Sequence, residues 1–231
     1  MNEFYELVEN NEHFLVVYKK PNTSFHSEDG ERGLFETVKQ TQGLSELYPV
    51  HRLDKITSGL LVMAKTADAN QELVDQFKNR QIEKYYIAIS KKKPKKKQGL
   101  IKGDMGSARR GAWKLLPTFE NPAVTQFFSA SIGNGMRLFM VKPHTGKTHQ
   151  IRVALKSIGS PILGDALYAD AADCEGVDRV YLHAFSLAFS LGGQDYRFTE
   201  APREGEIFAT PEFVIAMNSF QSPWLLHWPR I

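Results

Sequence analysis

Three observations predict an α+β fold. Short apolar runs of strand length lie at 14–18, 60–64, 85–89 and 183–191. A Gly133-Asn134-Gly135 hairpin signature separates two further strand-like runs. Helical patterns at 33–41, 68–77 and 148–158 fall irregularly among the strands rather than in strict strand–helix alternation.

Taken in order, Phe14 to Tyr18 is a buried strand stopped by Lys19-Lys20-Pro21. Gly33 to Thr41 puts Leu34, Phe35 and Val38 on one helical face, with Gly43 as the stop. Leu60 to Ala64 follows a Thr57-Ser58-Gly59 turn as a buried strand would. Asp68 and Gln71 then offer a capping box for a helix carrying Ala69, Leu73 and Phe77. Tyr85 to Ile89 is a strand running into a lysine-rich loop. Val124 to Ile132 and Met136 to Lys142 flank Gly133-Asn134-Gly135, residues that tolerate positive φ. Thr148 is the expected N-cap of a helix to Ile158 that shows Ile151, Leu155 and Ile158 on one face, and His183 to Leu191 is a last strand. The expectation is a single domain over residues 1–231, with no internal repeat or linker.

At 231 residues and 42% hydrophobic, the chain can bury a sizeable core. The first eleven residues carry three Glu and no Lys or Arg, unlike a secretory signal, and no apolar run approaches membrane-spanning length. A soluble, cytoplasmic protein is expected, with monomer as the default. One cysteine, Cys174, excludes an internal disulfide, and seven scattered His give no ligand spacing, so no metal is expected.

The charge is segregated. Between Lys84 and Lys114 there are eleven Lys or Arg against the single acid Asp104, a local +10 within a chain of net +3 that leaves the remainder at −7. Such a segment suits a polyanion, because each cation that neutralises a phosphate releases counterions. A solvated loop that serves solubility would look the same.

Polar groups stand at the edges of apolar elements in three segments: His51-Arg52-Leu53-Asp54, Lys84-Tyr85-Tyr86-Ile87-Ala88, and Thr145 through Arg152. Asp54 precedes a turn that feeds a buried strand, which suits a carboxylate held on rigid scaffold. Taken singly, each has an ordinary explanation: a turn aspartate, a core tyrosine, and an arginine on the exposed side of a helix.

Together, in this order and spacing, the three segments resemble the signature of the RluA family of RNA pseudouridine synthases. The likeness extends from Lys20-Pro21 through His51 to Lys65 and on to Pro161-Ile162-Leu163-Gly164-Asp165 and Leu182 to Phe189. The resemblance implies a central mixed, largely antiparallel sheet flanked by helices and loops, with a catalytic cleft. It implies an isomerase without a cofactor that converts uridines of structured RNA, tRNA or rRNA, to pseudouridine. Asp54 matches the family's catalytic aspartate, Tyr86 its tyrosine, Arg152 the basic residue that pairs with the aspartate, and Arg52 an arginine that helps hold the displaced RNA. Tyr85 lies one place off the motif and should face the other side of its strand.

Lys147, Ala154 and Ala169 depart from the family pattern, which commonly has Arg, His and Gly there. With a core strand beginning near Phe14, the N-terminal RNA-binding domain of many relatives is not expected here. The expected grip on the RNA backbone is Lys91, Lys92, Lys93, Lys95, Lys96 and Lys97, with Arg109, Arg110 and Lys114. Two rivals remain. Gly146-Lys147-Thr148 suggests a P-loop, but Val141 stands where its first glycine is needed. A non-catalytic RNA-binding or RNA-folding protein would share the basic loop but would have no use for Asp54, Tyr86 and Arg152 together. The tryptophans near the C-terminus, Trp224 and Trp228, are expected to pack.

Overall fold

Val, Ile, Leu, Phe and Tyr crowd the strands of the computed structural model, which describes residues 3–27 and 30–231. In chain order the elements are β1 (Tyr5–Asn10), β2 (Phe14–Lys19), α1 (Leu34–Thr41), β3 (Tyr48–Pro49), β4 (Ser58–Ala64), α2 (Ala67–Lys78), β5 (Glu83–Ser90) and β6 (Gln98–Gly103). They continue as β7 (Met105–Ser107), β8 (Trp113–Leu115), β9 (Ala123–Ser131), β10 (Arg137–Pro143), α3 (Gln150–Ser157), β11 (Leu182–Leu191), β12 (Gln194–Thr199) and α4 (Pro211–Met217). The class is α+β, as the sequence predicts. Among the described residues no helix is long and apolar enough to cross a membrane.

The chain divides into two compact units, one of residues 1–84 with 183–202 and one of 85–182 with 203–231. In the first, β2 lies antiparallel between β1 and β4, β3 adds to β4, and β12 adds antiparallel to β11. Among the described residues of this unit, a parallel pairing joins β4 to β11, at Ser58 with His183 and Gly59 with Ala184. Strands β2 and β4 are buried along their whole length, which explains why they read as unbroken apolar runs. One core gathers Phe14, Val16, Leu60, Val62, Leu187 and Phe189 under Ala69 and Leu73 of α2.

Gly59 has φ +110, and a Cβ there would lie 2.2 Å from the carbonyl oxygen of Ala184. Only glycine allows β4 and β11 to approach at this point, where the stretch from Asp54 enters the sheet.

In the second unit β10 pairs antiparallel with both β5 and β9, and β9 pairs with β6. The β9–β10 connection is the predicted hairpin, with positive φ at Gly133, Asn134 and Gly135. α3 covers one face through Ile151, Ala154 and Leu155, against Ala88, Phe127, Phe139 and Val141. The short strands β7 and β8 form a separate two-stranded ribbon.

Two expected caps are corrected. α2 starts at Ala67, capped by Thr66, whose hydroxyl accepts from the Ala69 amide at 3.2 Å; Asp68 and Gln71 lie inside the helix. α3 starts at Gln150, after His149 in the left-handed region at φ 55, so Thr148 is not its cap. Of the two C-terminal tryptophans, Trp228 packs as expected, and Trp224 is half-buried. Trp228 lies 4.9 Å from the Phe128 ring and 5.9 Å from that of Tyr85, and its indole N–H donates to Pro223 O at 2.8 Å.

Candidate active site

Asp54 lies on the irregular stretch between β3 and β4, partly exposed, and that stretch is pinned residue by residue. His51 Nε2 accepts from the Val62 amide of β4 at 3.1 Å, and its ring stacks on Phe77 at 4.6 Å. Leu53 is buried. The carbonyl of Asp54 accepts from the Thr57 amide at 3.0 Å, closing a turn. Fully buried Lys19 donates its ammonium to the carbonyls of Lys20, at 3.0 Å, and of Lys55, at 2.9 Å. The carboxylate therefore stands on backbone fixed on both sides, the condition for a preorganised group. Arg52, next to buried Leu53, is exposed.

His51 also carries a testable electrostatic signature. Burial, reinforced by the Lys84 charge, pushes its imidazole down to about 3, so the folded ring is neutral and accepts from Val62 through Nε2. The unfolded chain takes up a proton near the ordinary value of about 6.5, which the folded chain refuses. Stability is thus full above that value and declines as the pH falls towards the folded one, by about 1.4 kcal/mol per pH unit well inside the window. His51→Gln keeps an acceptor but cannot titrate. In guanidinium denaturation between pH 6 and pH 4, the variant should lose stability less steeply than the parent; parallel acid limbs would contradict this assignment. Lys84, by burial alone, is lowered to about 8.

Tyr86 and Arg152 lie in the second unit on the same side of its sheet. Tyr86 is half-buried on β5 opposite Val141 and packs against the core that α3 covers. Tyr85 faces the other way and is fully buried, with its hydroxyl accepting from Lys142 Nζ at 3.2 Å. Alternation along the strand separates the two tyrosines, as the motif spacing predicts.

Arg152 is not the surface residue that a first-turn position suggests: its side chain is 8% exposed. Nε donates to Asp165 Oδ2 at 2.8 Å and Nη2 to Asp165 Oδ1 at 2.9 Å, a two-bond fork. Its guanidinium also lies 4.9 Å from the centre of the Tyr168 ring. Sequence reasoning misses Asp165 and Tyr168 as partners, because nothing local announces a contact thirteen or sixteen residues away. The one usable signal is that Asp165 belongs to a family motif and a buried arginine requires an acid nearby.

The cationic residues are arranged in two groups. Lys91, Lys93, Lys95, Lys96 and Lys97 are exposed on the β5–β6 loop, which is anchored by buried Pro94. Lys92 differs: its ammonium is hydrogen-bonded to Asp170 and lies 3.7 Å from Asp173, so its charge is locally matched. Arg109 and Arg110 are exposed at the tip of the β7–β8 ribbon, Arg110 in the left-handed region at φ 57, and Lys114 is exposed on β8. At the P-loop-like segment the Lys147 amide donates to Gln150 Oε1 at 3.0 Å, so that amide serves the loop itself rather than a phosphate cradle.

A family model described as RNA pseudouridylate synthase matches residues 13–157. The chain is 47% identical over 206 residues to an "Uncharacterized RNA pseudouridine synthase" of Haemophilus influenzae, covering 89% of this chain and 91% of that protein. It is 35% identical over 145 residues to Ribosomal large subunit pseudouridine synthase C of Rickettsia bellii, covering 61% and 48% respectively. Two solved human structures share the fold at 23% identity. RNA Pseudouridylate Synthase Domain Containing 1 gives a TM-score of 0.72 over 87% of this chain and 84% of that one. RNA Pseudouridylate Synthase Domain Containing 4 gives 0.69 over 93% and 92%.

Proposed function

We propose, from the premise that the chain belongs to the RluA-type family of RNA pseudouridine synthases, that Asp54 is the carboxylate with which this RNA isomerase works. The observation that carries this reading is the bracing of Asp54 by His51, Leu53, Thr57 and Lys19. An ordinary turn aspartate would not need a fully buried lysine spent on the next carbonyl.

The reaction breaks the N1–C1′ bond of uridine, turns the base while it remains bound, forms a C5–C1′ bond, removes the C5 proton and returns a proton to N1. Nothing is gained or lost overall. An ionised Asp54 serves either as nucleophile or as the group that assists departure of the base. Tyr86, on a rigid strand, is placed in the role of platform for the uracil or acceptor of the C5 proton. Arg152 is assigned, by the family motif it matches, the role of the basic residue that accompanies the catalytic carboxylate. Exclusion of water protects a detached sugar from interception.

The target uridine must leave its stack, at a cost of a few kcal/mol that is least in loops and bulges. Structured RNA, ribosomal or transfer, held in the cytoplasm is the proposed substrate; the ribosomal relatives support the first. Contacts beyond the flipped base offset its unstacking. Arg52, the exposed lysines of the 91–97 loop and the Arg109–Arg110 tip are assigned to that grip. Replacing Lys93, Lys95, Lys96 and Lys97 by serine should weaken RNA binding at low salt and lower the steepness of log K against log salt by about 0.7 for each phosphate no longer neutralised. An unchanged slope would remove the loop from the interface.

The direct test is tritium release from RNA transcripts labelled at uridine C5. The intact chain should liberate the label in step with pseudouridine formation. Absence of release from every structured RNA offered, including total ribosomal and transfer RNA made in cells lacking the protein, would overturn the proposal.

A further inference from the structure

We propose that Tyr168 is a positioning residue that ties the Arg109–Arg110 tip to Arg152, so that RNA held at the tip is presented in fixed register to the reacting uridine. The inference rests on the reading that this tip touches RNA.

Tyr168 is buried, and three separate structures meet on it. Its ring lies under the Arg152 guanidinium. Its hydroxyl accepts from the backbone N–H of Trp113 at 2.9 Å and shares a hydrogen bond with His149 Nδ1, also 2.9 Å. Trp113 opens β8, two residues after the turn that carries Arg109 and Arg110. His149 is the residue at the entrance to α3, which carries Arg152. Tyr168 is itself held to the Arg152 partner, since its amide donates to the Asp165 carbonyl at 3.0 Å.

A two-stranded ribbon with three-residue strands has little stability of its own, so its direction depends on what anchors it. Leu115 supplies an apolar anchor by packing against the core under α3. Tyr168 supplies a directional one, because a hydrogen bond fixes an angle that apolar contact leaves loose. Backbone conformation gives an independent indication. His149 and Arg110 are both non-glycine residues in the left-handed region, where the backbone costs about 1 kcal/mol or more and persists only when its surroundings hold it. One adjoins the helix that carries Arg152, the other sits at the ribbon tip, and Tyr168 bonds to the element bearing each.

The two parts of the side chain separate by substitution. Tyr168→Phe keeps the ring under Arg152 and removes both hydroxyl bonds. Tyr168→Leu removes the ring as well. Steady-state kinetics of the full chain on a transcript that it modifies should give, for Tyr168→Phe, a KM raised about tenfold with kcat within about twofold. Tyr168→Leu should lower kcat as well. The Arg109→Ala/Arg110→Ala double variant should raise KM, and adding Tyr168→Phe to it should raise KM no further, because the tether then holds nothing that grips RNA.

An unchanged KM in Tyr168→Phe, with a raised KM in the arginine double variant, would overturn the tether and leave the RNA-binding tip intact. An unchanged KM in the arginine double variant would remove the tip from the interface and the tether with it. Equal losses of kcat and KM performance in both tyrosine variants, following their melting temperatures, would reduce Tyr168 to packing.

Discussion

Asp54→Asn should abolish pseudouridine formation, lowering kcat by about 10⁴-fold or more, while RNA affinity stays within about threefold of the parent. Asparagine is nearly isosteric, and the supports of Asp54 act through neighbouring residues and backbone: His51 on Val62, Leu53 in the core, Lys19 on the Lys55 carbonyl. The loop should therefore keep its shape and lose only the charge that the chemistry uses. Filter binding and single-turnover kinetics on the same transcript separate the two effects. A variant that binds RNA tenfold more weakly and turns over normally would make Asp54 a binding residue instead.

Asp165→Asn should be the largest stability loss among the site substitutions, about 3–5 kcal/mol, or a fall of about 10 °C in melting temperature for a chain of this size. Both side chains of the pair are nearly out of water, at 8% exposure for Arg152 and 2% for Asp165. Removing the carboxylate breaks both bonds of the fork to a nearly buried guanidinium, and such a one-sided loss costs more than the pair itself is worth. The same variant should lose most of its turnover, because the fork that fixes Arg152 is gone. Thermal unfolding and tritium release at a temperature where the variant remains folded measure the two separately. A variant as stable as the parent would show that Arg152 is satisfied without Asp165.

Much of the fold is legible in the chain because the strands that build it are buried on both faces. β2, β4, β5 and β11 read as apolar runs for that reason. β1, with the sequence YELVEN, interrupts its apolar residues with Glu6 and Glu9, and β12, with QDYRFT, sets exposed polar residues between Tyr196 and Phe198, so neither leaves such a run. β7 and β8 are three residues each, too short for any period to show. The two misplaced caps share a cause: several residues of capping type stand near each helix start, and backbone geometry, a left-handed His149 in one case, selects among them.

The site divides along similar lines. Asp54, Tyr86 and Arg152 are legible through motif order, and the opposed faces of Tyr85 and Tyr86 through strand alternation. The supports are not. Lys19 reads only as part of the Lys19-Lys20-Pro21 stop to a strand, yet it is fully buried with its ammonium on the Lys55 carbonyl. Lys92 reads like its neighbours in the basic run, yet Asp170 and Asp173 meet its charge. Such pairings are set by tertiary contacts that composition does not encode.

The role of Asp54 is open to pseudouridine mapping of total RNA, in cells lacking this protein and complemented with either the intact chain or Asp54→Asn. If Asp54 is the catalytic carboxylate, defined pseudouridines vanish in the deletion, return with the intact chain, and stay absent with Asp54→Asn expressed at the same level. Restoration of those sites by Asp54→Asn would contradict that role.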